Sequence, residues 1–445
     1  MTSGGTPPFP GLQSHPSLSY EIPGLREDPT LCLRCRAAQG LCGKPVCPIL
    51  LRHDAFLRTL PSTPSKELEG SSPPALFVGR FGWPKVSVGP LLSAQHGDTR
   101  LLDLPESWVG RPVAEVVGMR TGLVRGTRAA RVEDARRPDQ YLESLQLLSL
   151  AEESSEAEAK FRRIPRARIS LSDTAPPFGP SAPVESMRLD VRRVDARLER
   201  MSSDIHATAR VGVEELYDRA VPVSRIQRAF SAGVLGRLPR RTLVPTRWSI
   251  TAVDDLISRG NLERVRELPE LSEILLYRLT ALDNRWLIIL LPGAYRYESI
   301  EAWYPNTLWN PSLSEVVIMG DHEGYDGRTS YARIGGCYYA ARLATSEGLL
   351  QLGRQAGVVV LREVHPGEIL PLGVWNVREH VRAAMREAPS HFASLEELLT
   401  AIREYFVIEL PRWVRASAHL GTARYQRRLE EFDLSAVSAL AAQPG

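Results

Sequence analysis

Four of the five cysteines in this 445-residue chain follow one another at the spacing C-x2-C-x6-C-x4-C, as Cys32, Cys35, Cys42 and Cys47. A C-x2-C pair places two sulfurs within reach of one ion, and a second pair completes the tetrahedral four-sulfur shell that suits zinc. An iron–sulfur cluster is an alternative, because four thiolates also suit iron and Pro48 follows Cys47. Two disulfides are a further alternative, but they rarely persist in a chain without a secretion signal. The spacing therefore predicts a structural Zn²⁺ site.

Two acidic pairs are candidates for catalysis. Asp254 and Asp255 follow the segment LVPTRWSITAV, and Glu298 and Glu301 lie three residues apart in YESIEAW. On predicted helices these carboxylates could hold Mg²⁺ together. The alternative is a capped helix with solvated acids. The sequence contains no HExxH, GxSxG or zinc-deaminase pattern, so no reaction can be assigned.

Basic and aromatic residues indicate a polyanionic partner, although the formal net charge is only +3. No acidic residue occurs between Ala220 and Val253, a stretch that contains Arg225, Arg228, Arg237, Arg240, Arg241 and Arg247. Arg247 could hold a phosphate while Trp248 stacks on a base. In the predicted strand–turn–strand FVGRFGWPKVSVGPLL, Arg80 and Lys85 could likewise bind phosphate, and Phe81 or Trp83 could offer a stacking face. Structural glycines and arginines on helix faces are the alternative interpretation.

Strand-like and helix-like segments alternate, with a hairpin signal between SEILLYRLTAL and RWLIILL. The segments DQYLESLQLLSLAEESSEAEAKFRR, WNVREHVRAAMREA and SLEELLTAIREYF are predicted to be helices, and PSTPSKELEGSSPPA (61–75) is predicted to be a linker. We predict an α+β fold with mixed, largely antiparallel sheet regions, flanking helices and an N-terminal zinc-binding element. The predicted divisions are a Pro/Gly/Ser-rich arm (1–30), the four-cysteine element (31–60), a first α/β region (76–170), a larger α+β region with an Arg-rich surface (187–410) and a tail (411–445). Neither a signal peptide nor an apolar run of membrane-spanning length is present, so we expect a cytoplasmic, DNA-associated protein without a membrane partner.

Several long segments resemble the archaeal Nre family. They are LCLRCRAAQGLCGKPVCPIL, FVGRFGWPKVSVGPLL, LVPTRWSITAVDD, IEAWYPNTLW and PLGVWNVREHVR, and they run in order from about residue 31 to 383. The resemblance implies a role in DNA-damage repair, a zinc-finger-like element formed by the four cysteines, and a C-terminal motif that binds the sliding clamp PCNA. It implies no known reaction.

The tail contains a match to such a clamp motif. Gln426, Leu429 and Phe432 follow the pattern Q-x-x-L-x-x-F, although Asp433 stands where fuller motifs carry a second aromatic residue. In a 3₁₀ turn, residues three apart project together, so the two apolar side chains could enter one pocket. The alternative is an amphipathic helix that packs on the protein body through Tyr425. We therefore predict a DNA-repair factor recruited by PCNA. The alternative is a DNA-processing enzyme, such as a metal-dependent nuclease or a glycosylase.

Overall fold

The computed structural model describes Cys47, Leu50 and residues 65–166, 179–305, 307, 310, 312, 314–368 and 372–425. Within these ranges the protein contains two six-stranded sheets and eleven α-helices. The predicted α+β class is therefore confirmed, and each sheet joins one parallel strand pair to several antiparallel ones. Among the residues that the structure describes, no helix has both the length and the apolar content of a membrane span.

The first sheet has the strand order β1-β5-β6-β4-β3-β2. Its strands are β1 (Glu67–Ser72), β2 (Leu76–Val78), β3 (Lys85–Leu92), β4 (Val124–Arg131), β5 (Ser155–Phe161) and β6 (Ser181–Asp190). The pair β4 and β6 is parallel, and the other neighbouring pairs are antiparallel. This sheet extends beyond the predicted region 76–170 at both ends. The segment around Pro73, which we interpreted as a linker, joins two of its strands.

The first sheet closes into a barrel because β1 and β2 act as two halves of one bent strand. Pro73, Pro74 and Ala75 form the bend between them; β1 pairs with β5, and β2 pairs with β3. Ser71 adds a direct link from β1 to the end of β3, since Ser93 N donates to Ser71 O at 2.9 Å. If the bent strand is counted as the first, the order around the barrel is 1-2-3-5-4-1, with the third and fifth strands parallel. This is the arrangement of an OB-fold, a five-stranded Greek-key barrel.

The barrel has an apolar interior, and one end is closed by a helix. Side chains from four strands fill the interior: Leu92, Val124, Ala157, Ala159, Phe161, Ala182 and Val184. Helix α2 (Gln140–Leu150) lies between the third and fourth barrel strands in the chain, and its Leu142 and Leu145 share a core with Val86 and Val88 of β3.

The remaining helices before the second sheet form a layer against the barrel. They are α3 (Ala196–Ser203), α4 (Ala209–Asp218), α5 (Val223–Ser231) and α6 (Thr246–Val265). The preceding α1 (Val113–Thr121) packs instead in a separate cluster with Trp108 and Trp375. The 20-residue α6 connects the two halves of the fold. Val253 and Ile257 pack in the barrel-side core, whereas Leu262 and Val265 pack in the core of the second sheet. The beginning of α6 is therefore fixed next to the barrel.

The second sheet has the strand order β10-β9-β11-β8-β7-β12 and helices on both faces. Its strands are β7 (Ile274–Ala281), β8 (Asn284–Leu291), β9 (Arg296–Trp303), β10 (Val317–Glu323), β11 (Gly357–Val364) and β12 (Ser390–Phe392). One face packs on α7 (Gly336–Leu352) and α8 (Trp375–Arg386), and the other on α9 (Leu395–Tyr405), α10 (Leu410–Ala416) and α11 (Ala418–Tyr425). The predicted hairpin is confirmed as β7 and β8, with Leu282 and Asp283 at positive φ in the turn.

Two predicted helical segments are wrong. The stretch that begins at Gln140 is helical only to Leu150, and its second half, SEAEAKF, is strand β5. YESIEAW is strand β9, so Glu298 and Glu301 do not share a helical face. Because side chains alternate along a strand, residues three apart point to opposite faces of the sheet.

Candidate nucleic-acid interface

The loop between β2 and β3 (residues 79–84) presents an exposed aromatic residue beside an exposed arginine. The Phe81 side chain is 81% exposed, and the Arg80 guanidinium carbon lies 4.9 Å from its ring centroid. Gly82 has φ +82°, and a Cβ there would lie 2.7 Å from Lys85 O, so the turn requires glycine. Lys85 N donates to Gly82 O at 2.9 Å, and Val132 N donates to Pro84 O at 2.9 Å. The backbone therefore holds this loop in a defined shape.

The beginning of α6 lies against the same loop. Val78 N donates to Thr246 Oγ1 at 2.9 Å, which ties the first residue of α6 to strand β2. One residue further on, Arg247 is exposed, and Trp248 is half-buried. The Trp248 ring lies 5.4 Å from the ring of Trp83, centroid to centroid, at an interplanar angle of 49°. Two sequence candidates that are far apart in the chain thus meet.

We define the aromatic–basic surface as Arg80, Phe81, Trp83, Lys85, Arg247 and Trp248. Partial burial and the positive charge of Arg247 both lower the pKa of Arg80, which places the two guanidinium groups within electrostatic reach of each other. Across the described ranges, no carboxylate forms an ion pair with Arg80, Lys85 or Arg247. These cations are therefore available to a phosphate, and the exposed ring of Phe81 is available to a base.

Arg131 lies at the end of β4 and was not among the residues predicted from the sequence. Arg131 pairs with Lys85 across the antiparallel strands β3 and β4, so the two cations lie on the same face of the barrel. Its side chain is 64% exposed and makes a 3.5 Å contact with Glu133. No local pattern marks Arg131, because its position depends on strand register.

Three of the arginines in the acid-free stretch serve the fold. Arg228 is buried and donates to both carboxylate oxygens of Asp103, at 2.7 Å each. Arg241 is also buried, and its guanidinium donates to three backbone carbonyls, the shortest contacts being 2.7 Å. Arg225 donates to the carbonyl of Ala151, and burial lowers the pKa of Arg225 to about 10. These guanidinium groups are occupied within the protein.

Arg237 and Arg240 differ from these three because both are exposed. Arg237 makes a long contact of 3.3 Å to the carbonyl of His206. They stay predicted DNA contacts outside the aromatic–basic surface.

The catalytic candidates Asp254 and Asp255 are engaged in separate ion pairs. Asp254 is buried and accepts from Arg378 and Gln227 at 2.9 Å each. Burial raises the pKa of Asp254 to about 6, against the opposing effect of the Arg378 charge. Asp255 instead pairs with Arg342 and Arg259.

The other two candidates are also used structurally. Glu298 accepts from the backbone N–H groups of Ala418 and His419 at 2.8 and 3.1 Å, which anchors the first turn of α11. Glu301 forms a 2.9 Å ion pair with Arg362 on the neighbouring strand. Among the residues that the structure describes, no three Cys, His, Asp or Glu side chains are arranged to hold a metal ion. The four acids do not converge on one site.

The cysteine cluster and the clamp motif lie outside the described residues, with one exception. Cys32, Cys35 and Cys42 are not described, and Cys47 is described as half-buried. The tail residues Gln426, Leu429 and Phe432 follow directly after Tyr425, the last residue of α11. The zinc site and the clamp motif therefore stay predictions.

Comparison with known proteins places the chain in a family defined by two consecutive regions. Residues 41–310 match the family model described as Archaeal Nre, N-terminal, and residues 323–432 match Archaeal Nre, C-terminal. The chain belongs to the archaeal Nre family, as the sequence resemblance predicted. It is 38% identical to the DNA repair protein NreB of Archaeoglobus fulgidus over 402 residues, which cover 90% of this chain and 99% of that protein.

Two further relatives carry the same kind of name. The DNA repair protein NreA of Archaeoglobus fulgidus is 35% identical over 83% of this chain and 93% of its own length. The DNA repair protein NreA of Haloferax volcanii is 32% identical over 77% of this chain and 84% of its own length. No solved structure matches this chain.

Proposed function

We propose that the protein is a DNA-repair factor that binds DNA through the aromatic–basic surface and is recruited to PCNA by the tail motif at residues 426–432. The observation that carries the DNA part is the contact between two chain segments: the β2–β3 loop, which carries Arg80 and Phe81 and leads into Lys85, and the beginning of α6, which carries Arg247 and Trp248. The names of the Nre relatives support the repair role.

The charges of this surface favour a phosphate backbone. The positive charge of Arg247 lowers the pKa of Arg80, and a phosphate bound near both guanidinium groups would relieve their repulsion. Arginine also binds phosphate in a bidentate manner, whereas Lys85 contributes a point charge. The scattered acids give no support to a metal-dependent nuclease, so the proposal includes no reaction.

The double variant Lys85→Glu/Arg247→Glu tests the proposal. Both side chains are exposed, so the fold should survive. Binding of a labelled DNA to the full chain is measured by anisotropy at several salt concentrations. Because each lost phosphate contact removes about 0.7–0.9 from the slope of log K against log salt, we expect a shallower slope and an affinity at least about tenfold lower.

A matched control is Arg386→Glu/Arg403→Glu, which makes the same change in net charge at exposed positions on α8 and α9. The control should bind DNA as the unaltered protein does. Equal losses in both double variants would show that net charge alone governs binding, and an unaltered affinity in Lys85→Glu/Arg247→Glu would remove this surface from the proposal.

The tail and the cysteines complete the proposal. α11 is docked on the second sheet through Leu420 and Glu298, so the motif at Gln426 follows a fixed point on the protein body. A partner that holds Leu429 and Phe432 would therefore hold the whole repair factor near DNA. The four thiolates are a donor set that fits a structural Zn²⁺.

A further inference from the structure

We propose that the OB-type barrel binds single-stranded DNA across β3, β4 and the β2–β3 loop, with Phe81 as a base-stacking residue. This inference rests on the proposed function and adds the class of DNA that the aromatic–basic surface recognises.

The aromatic–basic surface lies on the part of the barrel where OB-folds bind their ligands. In OB-folds, oligonucleotides bind across the second and third strands and beside the loop that joins the first two strands. Here those strands are β3 and β4, and that loop is residues 79–84. Phe81 and Arg80 lie in the loop itself, and Lys85 begins the second strand. The aromatic–basic surface therefore occupies the ligand-binding position of the fold.

The pairing of β3 with β4 places two cations side by side on the outer face of the barrel. Lys85 lies directly opposite Arg131, and Ser87 lies opposite Ala129 on the same face. Like charges at directly opposed positions destabilise a strand pair. Glu133 offsets part of the charge of Arg131 through its 3.5 Å contact, whereas Lys85 forms no ion pair among the described residues, so a phosphate backbone across the two strands would relieve the remaining repulsion. The small side chains of Ser87 and Ala129 leave the neighbouring surface open.

The exposed ring of Phe81 favours single-stranded DNA over a duplex. A phenylalanine that is 81% exposed loses the stabilisation that burial of its ring would give. In duplex DNA the bases are stacked on each other, so their faces are not accessible to such a ring. In a single strand every base has a free face, and base–aromatic stacking works with any sequence. Arg80 above the same ring can hold the adjacent phosphate.

Helix α6 extends the same path. Trp248 lies against Trp83 of the loop, and Arg247 follows on the outer side. A DNA strand that runs from Phe81 past Trp83 to α6 would meet Arg247 in the first turn of that helix. The surface is thus continuous from β4 to α6, whereas the exposed Arg237 and Arg240 are not needed for this path.

The experiment compares three labelled probes with the full chain: oligo(dT) of about 20 nucleotides, the oligo(dT)·oligo(dA) duplex of the same length, and oligo(rU) of the same length. We expect oligo(dT) to bind more tightly than the duplex and the RNA. Phe81→Ala should weaken oligo(dT) binding by about 5- to 150-fold and leave the duplex within about twofold, because stacking on one ring is lost. Phe81→Tyr, which keeps a ring, is the matched control and should retain binding.

Each outcome bears on one proposal. Tighter binding of the duplex than of oligo(dT), or equal losses for Phe81→Ala on both probes, would overturn the single-strand inference and leave the proposed DNA binding intact. Tighter binding of oligo(rU) would overturn the assignment to DNA. If none of the three probes binds in a salt-dependent manner, the proposed function itself fails. Thermal unfolding of each variant checks that the exposed substitution at Phe81 leaves the fold unchanged.

Discussion

Replacement of Arg228 by methionine should destabilise the protein and leave its affinity for DNA unchanged. Arg228 donates two 2.7 Å hydrogen bonds to Asp103, and their side chains are only 8% and 2% exposed. Removing one partner leaves a buried carboxylate without its ion pair, which typically costs about 3–5 kcal/mol. The charge of Arg120 also acts on Asp103 and remains in the variant. We therefore expect a loss of about 3 kcal/mol in the free energy of unfolding, at the lower end of that range.

Urea denaturation at pH 7 measures this loss, with DNA binding measured under conditions where the variant is folded. Arg240→Met is the control, because Arg240 is exposed and should cost less than about 0.5 kcal/mol. The double variant Arg228→Met/Asp103→Leu should recover only part of the stability, because it removes the buried carboxylate but also takes the charge of Asp103 away from the buried Arg120. A loss below about 1 kcal/mol together with tenfold weaker DNA binding would refute this reasoning, because it would mean that Arg228 contacts DNA rather than Asp103.

Thr246→Val should lower the free energy of unfolding by about 1–3 kcal/mol, because Val78 N loses its acceptor, while Thr246→Ser should not; equal losses would argue against the hydrogen bond. Burial raises the pKa of Asp254 to about 6 in the folded protein, above its value of about 4 in the unfolded chain. Protonation of Asp254 therefore stabilises the fold fully below pH ~4, and this stabilisation is lost as the pH rises to about 6. The stability of Asp254→Asn relative to the unaltered protein should therefore increase between those pH values, and a constant difference would contradict the shift. Metal analysis should find about one zinc per chain and less in Cys35→Ser; iron with labile sulfide would exclude the zinc site. Leu429→Ala/Phe432→Ala removes two anchors worth about 1.5–3 kcal/mol each, so PCNA affinity in calorimetry should fall about 100-fold or more; a lower melting temperature with unchanged affinity would instead indicate a packed helix.

Local patterns predicted the elements whose signals are local. The hairpin of β7 and β8 follows from apolar runs on both sides of a two-residue turn, and the α8 and α9 segments follow from helical periodicity. SEAEAKF was missed because alanine, glutamate and lysine favour helices, although its buried residues alternate with exposed ones as in a strand. The segment around Pro73 and Pro74 has the composition of a linker, but its backbone bends one barrel strand into two.

The site was predicted in its parts but not as a unit. Arg80 and Lys85 were found because glycines and cations stand together in one segment, and Arg247 and Trp248 because they are adjacent. Their meeting depends on the packing of α6 against β2, which joins residues far apart in the chain. Arg228 and Glu301 also pair with residues far away in the chain, Asp103 and Arg362. No local pattern therefore distinguishes these two charges from solvent-exposed ones.

The order of strands in the second sheet has a consequence during synthesis of the chain. β11 lies between β8 and β9, although it follows β9 by a helix and a further strand. Ribosomes add about 5–20 residues per second, so some 60 residues between the end of β9 and the end of β11 require roughly 3–12 seconds. During this interval the backbone N–H and C=O groups along one edge of β8 and one edge of β9 lack their native partner strand, whereas every strand of the barrel has already been made. The nascent protein can therefore complete its barrel first, while the strands of its second half are at their greatest risk of pairing with another chain.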